Sequence, residues 1–410
     1  MTLFSLIFII LLLIDCALKY YLNKRQISAI KRSFQQVPSY FESQISLTEH
    51  QKAGNYSLAK LNLGKIELIY GVVLTLGFTL GGGIDRIAHI TQLGNYPLSS
   101  EVSLIILYSI FNSALGLPLS YYSTFKIEQA FGFNKMTIGL FIKDLFKGLT
   151  LSLVIGIPLL YLVMWLMNSL GETWWLWVWG VMVGFNLLIL TIYPTFIAPL
   201  FNKFTPLDDL ELKARIETLL TKCGFKSQGV FVMDGSKRSS HGNAYFTGLG
   251  SSKRIVFFDT LLKQLSHDEI IAVLAHELGH FKHKHILKQM LTSFGIMLIG
   301  LFIFSLLINQ NWFYAGLNVS QINPASGLLL LFILTSIISL PLAPLNSMMS
   351  RKNEFEADDF AKANANRQDL ISGLVKLYRD NASTLTPDDL YVKFYYSHPP
   401  ASLRIANLER

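Results

Sequence analysis

The residues with the clearest chemical potential are His276-Glu277-Leu278-Gly279-His280. On a helix, two histidines four residues apart lie one turn apart on one face, so both imidazoles can reach one cation. Glu277 follows the first and is placed to hold a water beside that cation and take its proton. The chemistry this spacing serves is metal-assisted hydrolysis. A catalytic zinc site has three protein ligands and one open position, so a third donor is required. His283 stands seven residues after His276, but seven residues rise about 10.5 Å along a helix and zinc bonds are about 2.1 Å. The two do not share one ion, and His283 and His285 are expected to be solvated or interfacial. Asn353-Glu354-Phe355-Glu356-Ala357-Asp358 offers carboxylates instead. If that stretch is helical, Glu354 and Asp358 share a face, while Glu356 points elsewhere, about 200° around.

The histidine pair needs a helix to hold it. Ser266-His-Asp-Glu269 is a capping box, the signature of a helix start. The helix it opens carries Ile270, Ile271, Val273 and Leu274 and is expected to run close to the sixth apolar segment. Upstream, Thr205 and Pro206 mark another helix start, with Leu207, Leu210, Ile216, Leu219 and Leu220 at helical spacing and Gly224 at its end. Residues 229–234, 243–248 and 254–258 read as short strands, the last two forming a hairpin around Gly248 to Ser252.

These elements are embedded in a membrane-type chain. Of 410 residues, 51% are hydrophobic and 15% charged, against about 25% charged in soluble domains; the mean hydropathy is +0.40. A spanning helix takes roughly 20 apolar residues. Seven segments qualify, near Leu3–Tyr21, Ile66–Gly83, Val102–Tyr122, Gly148–Met167, Trp174–Phe196, Met290–Ile308 and Gly327–Leu345. Asp15 and the lack of a basic start mark the first as a retained helix rather than a signal peptide. Cys16 and Cys223 are the two cysteines, too few for a disulfide framework or a thiolate metal site.

The net charge of +8 is distributed as a membrane protein requires, and no nucleic-acid partner is expected. Lys24, Arg25, Lys31, Arg32, Lys52 and Lys60 lie between spans one and two; Lys126, Lys135, Lys143 and Lys147 lie between spans three and four. The alternate loops hold almost no base, Arg86 being their lone representative. Positive charge collects on the cytoplasmic side, which sets the N-terminus outside and the C-terminus in the cytoplasm. The expected organisation is spans one to five over 1–201, a cytoplasmic peptidase region over 202–289, spans six and seven over 290–345, and a cytoplasmic tail over 346–410 that completes the metal site.

Together these residues resemble the type I CAAX prenyl protease family, integral-membrane zinc endopeptidases of the gluzincin type. The resemblance rests on the seven spans, Ser240-His-Gly-Asn-Ala-Tyr245, Lys253-Arg-Ile-Val-Phe-Phe-Asp-Thr-Leu-Leu262, His276–His280, Asn353–Asp358, and Ser397-His-Pro-Pro400 followed by Arg404. It implies an α-helical membrane protein with an α+β zinc-peptidase domain, its helices enclosing a large chamber. One Zn2+ would be held by His276, His280 and Glu354, with Glu277 as general base. His398 would stabilise the oxyanion, its alternative being a capping or interfacial histidine before Pro399. Asn243 and Ala244 would lie on an edge strand that pairs with extended substrate. Asp358 and Arg404 would either support a zinc ligand or form a salt bridge that holds the tail down.

Partners follow from the same resemblance: a peptide or protein substrate, prenylated on a C-terminal CAAX motif in eukaryotes, and the lipid bilayer. A bacterial quality-control peptidase with no prenyl requirement is the alternative. The short loop between spans six and seven and the lack of a retrieval signal favour a bacterial inner membrane over the endoplasmic reticulum. A channel or transporter with a structural zinc is the other class, but structural sites are closed by four protein ligands, and three are evident.

Overall fold

The structure is a computed structural model and describes residues 1–91, 97–247 and 253–410. Among these, six helices are long and apolar enough to cross a membrane: Leu3–Arg32, Leu47–Phe78, Pro97–Glu128, Ile138–Ser169, Gly171–Phe201 and His285–Leu307. A seventh crossing is a broken pair, Pro324–Ile338 and Leu340–Asn364, bent by 47°. The bend falls where Pro341 and Pro344 interrupt the hydrogen-bond ladder. All seven expected spans are present, but several are longer than their apolar cores suggested. A 32-residue helix is about 48 Å long, against about 30 Å of hydrocarbon. In Leu47–Phe78 the surplus is the polar first half, which carries Glu49, Lys52 and Lys60.

Between 11% and 22% of the most apolar window of each of the six unbroken spans is buried inside the molecule. Gly71, Gly116, Gly156, Gly180 and Gly295 have open space where a Cβ would sit. The spans therefore have most of their surface not packed against other parts of the protein. They pack tightly at one end, around Ile84, Met164, Trp174, Phe304, Tyr314 and Leu329. A second core lies around Ile216, Phe257, Ile270, Leu278, Val375 and Ile405, among the sheet and the shorter helices outside the spans. Val37, Phe41 and Ile45, from the connection after the first span, pack into it.

The segment between the fifth and sixth spans holds a four-stranded sheet in the order β1-β2-β4-β3, with β1 Phe204–Pro206, β2 Val230–Met233, β3 Ala244–Thr247 and β4 Arg254–Phe258. β2 and β4 are parallel; β3 pairs antiparallel with β4, Ala244 opposite Phe257. That leaves β3 as an edge strand. The hairpin turn expected at Gly248 to Ser252 lies outside the described residues. The helix start expected at Thr205 and Pro206 is corrected: both belong to β1, paired with Val232 and Phe231. Pro206 is tolerated there because an edge strand does not need every N–H. The helix begins at Leu210, and Asp209 caps it by accepting from Leu212 N at 2.9 Å.

Candidate active site

The helix His267–Lys282 carries the histidine pair, and its capping box is formed as expected. Ser266 N donates to Glu269 Oε2 at 2.8 Å. Glu269 also meets Ser372 and Lys376, each at 2.7 Å, so one buried side chain starts this helix and ties it to the helix Arg367–Asp380. The helix Ala343–Asn364 packs across the other side and brings Glu354 up to the histidines. Gly279 is what lets them approach. A Cβ there would lie 2.8 Å from Ala357 Cα and 3.1 Å from Phe360 Cβ.

The three candidate ligands converge. His276 Nε2 and His280 Nε2 are 3.2 Å apart. His280 Nε2 lies 3.2 Å from Glu354 Oε1, and His276 Nε2 lies 3.4 Å from Glu354 Oε2. Two atoms each about 2.1 Å from a tetrahedral ion are roughly 3.4 Å apart, so these spacings fit one metal ion. Glu354 is 4% exposed, and its Oε2 has no hydrogen-bond partner among the described residues. Arg404 Nη1 lies 3.4 Å from that oxygen, an ion pair without a hydrogen bond; a buried carboxylate oxygen lacking hydrogen bonds is costly, and a cation between it and the two imidazoles would lower that cost.

The rear nitrogen of each imidazole has its own partner, a carboxylate for His276 and a third imidazole for His280. His276 Nδ1 faces Asp358 Oδ1 at 2.8 Å, and Arg404 grips Asp358 through Nε at 2.9 Å and Nη2 at 2.5 Å. Asp358 is fully buried. Both contacts left open for this pair are present: Asp358 meets His276, and its ion pair with Arg404 ties the C-terminal helix Ala401–Glu409 to Ala343–Asn364. Burial alone would push the His276 imidazolium down, and Arg404 adds to that, but hydrogen bonds to Asp358 and Glu354 hold it above the ordinary histidine value.

His280 has its own support, which sequence reasoning missed. The expectation that His285 is solvated or interfacial is wrong. His285 is 4% exposed, with Nδ1 3.0 Å from His280 Nδ1 and Nε2 3.0 Å from Glu356 Oε2. Helical projection from His276 fails here because the helix stops at Lys282, and Lys284 takes a left-handed φ of 56°. The chain then restarts as the sixth span with His285 folded back against His280. Glu356 does point away from Glu354, but toward His285 rather than solvent. The signal available was a further histidine, the second past the pair, and a spare acid between the two assigned ones. His283 is exposed, as expected.

The open side of the cradle is formed by Glu277 and His398. Glu277 is half-buried and makes no ion pair among the described residues. His398 sits in the turn before the C-terminal helix, with Nε2 3.4 Å from Glu354 Oε1 and Nδ1 2.8 Å from Ser397 Oγ. A hydroxyl donated to Nδ1 leaves Nε2–H as the donor facing the cradle. Its side chain is 63% open to the cavity, yet the protein enclosing that cavity pushes its imidazole below the ordinary value. Both residues line two cavities, of about 720 Å³ and 370 Å³. Asn243 and Ala244 line the larger, Tyr245 and Phe246 the smaller, so β3 runs alongside from one to the other.

A histidine-pair helix crossed by an acid-bearing helix, carried on membrane spans, defines a membrane metallopeptidase. Residues 206–410 match the model of Peptidase family M48, and residues 26–203 match the CAAX prenyl protease N-terminal region of five membrane helices; the chain belongs to this family. It is 36% identical over 419 residues to CAAX prenyl protease 1 of Saccharomyces cerevisiae, covering 95% of this chain and 91% of that one. It is 37% identical over 410 residues to a CAAX prenyl protease 1 homolog of Dictyostelium discoideum, covering 95% and 93%. The human homolog is 34% identical over 353 residues, covering 77% and 74%. The crystal structure of S. mikatae Ste24p matches with a TM-score of 0.93 at 35% identity, over 100% of this chain and 99% of the other.

Proposed function

We propose that this metallopeptidase removes the C-terminal tripeptide from prenylated CAAX substrates, using one zinc ion held by His276, His280 and Glu354. The observation that carries the site is the convergence of three ligand side chains, their nearest atoms 3.2 to 3.4 Å apart, with Glu277 and His398 on their open side. The substrate class is argued from the names of the relatives. Bound zinc supplies Lewis acidity toward a water and the scissile carbonyl. Glu277 takes the proton of the attacking water and passes it to the leaving amine. His398 Nε2–H donates to the oxyanion as the carbonyl becomes tetrahedral. Extended substrate adds to the edge strand beside Asn243 and Ala244, where main-chain hydrogen bonds bind with little sequence demand. Asp358 and Arg404 keep His276 oriented, an outer support that usually matters 10- to 100-fold in metal affinity.

In this reading the peptidase unit comprises 202–289 and 346–410, with the spans of 1–201 and 290–345 as its wall. The N-terminus lies outside and the C-terminus in the cytoplasm. In a bacterial inner membrane or in the endoplasmic reticulum, that orientation gives the cradle cytosolic access. Purified protein given a farnesylated CAAX peptide and its unprenylated twin tests the reading. Cleavage of the farnesylated peptide is expected to be faster, lost on chelation and restored by zinc. Equal cleavage of both peptides would shift the assignment to a membrane-protein peptidase with no prenyl requirement. His398→Ala is expected to lower turnover about 100-fold or more; an unchanged turnover would return His398 to a structural role.

A further inference from the structure

The larger cavity carries a feature that the hydrolytic site does not use. β3 enters it at Asn243 and Ala244 and leaves toward the smaller cavity at Tyr245 and Phe246. A peptide added antiparallel, the slightly more stable pairing, runs the opposite way. Its N-terminal part then lies in the smaller cavity, and the residues after the scissile bond enter the larger one. Three extended residues span roughly 10 Å, a length that a cavity of about 720 Å³ accommodates.

The charged groups lining that cavity are few. Glu277, His398 and Arg404 belong to the cradle, and Arg404 is held by Asp358 and Glu354. His241 is turned to Asn381 at 3.1 Å and to Glu128 at 3.5 Å. Lys60 remains. Its side chain is 53% exposed, and its ammonium lies 3.4 Å from Tyr56 Oη and 4.0 Å from Glu128 Oε1. Glu128 is not among the cavity-lining residues, and it is already engaged by the Tyr56 hydroxyl and His241. At 4.0 Å it leaves Lys60 with donors to spare, since an ammonium has three. The chain Lys60–Tyr56–Glu128–His241 leads back to within two residues of Asn243, so the ammonium belongs to the same wall as the edge strand.

We infer that Lys60 binds the free C-terminal α-carboxylate of the substrate, and that this contact fixes the cut a set number of residues from the chain end. The inference rests on the proposed tripeptide-removing function and deepens it: the recognised group is a peptide carboxylate, not a side chain. A charge-assisted hydrogen bond of this kind corresponds to roughly 10- to 100-fold in specificity.

The test compares a farnesylated CAAX peptide ending in a free acid with the same peptide ending in a carboxamide. The wild-type enzyme is expected to cut the acid with a kcat/KM about 10- to 100-fold above that of the amide. In Lys60→Met the acid-to-amide ratio is expected to collapse toward one, and in Lys60→Arg to be largely kept. Equal cleavage of acid and amide by the wild type would overturn the inference and leave the proposed function standing. An unchanged ratio in Lys60→Met, even with lower overall activity, would also overturn it, because a structural defect moves both substrates together. Cleavage of neither peptide, with zinc bound, would overturn the proposed function and the inference with it.

Discussion

Each histidine of the cradle has two working nitrogens, one facing the ligand point and one held from behind. For His276 the rear partner is Asp358, for His280 it is His285 backed by Glu356. These supports fix ring orientation, so they are expected to act on metal affinity before they act on fold. Glu356→Gln and His285→Ala are each expected to weaken zinc binding about 10- to 100-fold, measured by competition against a chelator of known affinity. Wild-type affinity in both variants would reduce this chain of contacts to packing. Glu277→Gln is expected to behave oppositely, binding zinc normally while losing hydrolysis by roughly 100-fold or more; near wild-type cleavage would remove Glu277 from the role of base. The difference in legibility at this scale is physical. His276, Glu277 and His280 are set by helical spacing alone, so they are readable in sequence. His285 is reached through one left-handed residue, Lys284, and no periodicity carries across such a break.

At the scale of elements, the cradle exists because two helices cross at a glycine. Gly279 leaves room for Ala357 and Phe360, and Glu354, three residues before Ala357, then reaches both histidines. Gly279→Ala is expected to force the helices apart by a few tenths of an ångström or more and to destabilise by about 1–3 kcal/mol. A lowered melting temperature together with weakened zinc binding would bear this out; an unchanged melting curve and affinity would show that the crossing is more pliant than its contacts indicate. The helix His267–Lys282 was readable from its capping box, because both of its reciprocal bonds are local. The register of Thr205 and Pro206 was not, because their strand pairs with residues near Met233, and a helix-start signature and an edge-strand proline look alike in one dimension. The spans were readable from hydropathy, but their polar extensions were not, since hydropathy registers apolar runs and not the polar turns that continue them.

For the whole molecule, orientation decides which compartment meets the active site. With Cys16 and Cys223 replaced, a cysteine at the exposed Ser320 is expected to react with an impermeant thiol reagent added outside sealed cells, and one at the exposed Lys213 is not; the reverse pattern would place the cradle on the other face. The assembly also spans the membrane in a second sense. His276 and His280 precede the sixth span, and Glu354 lies on the second half of the broken seventh, Leu340–Asn364, so the three ligands come together only when both sides of that excursion are folded together. Metal analysis of purified Glu354→Gln, beside wild type and Glu277→Gln, tests this claim most directly. One zinc per chain is expected in the wild type and in Glu277→Gln, and less than about a tenth of that in Glu354→Gln after exposure to a mild chelator. A full equivalent of zinc retained by Glu354→Gln would contradict the account.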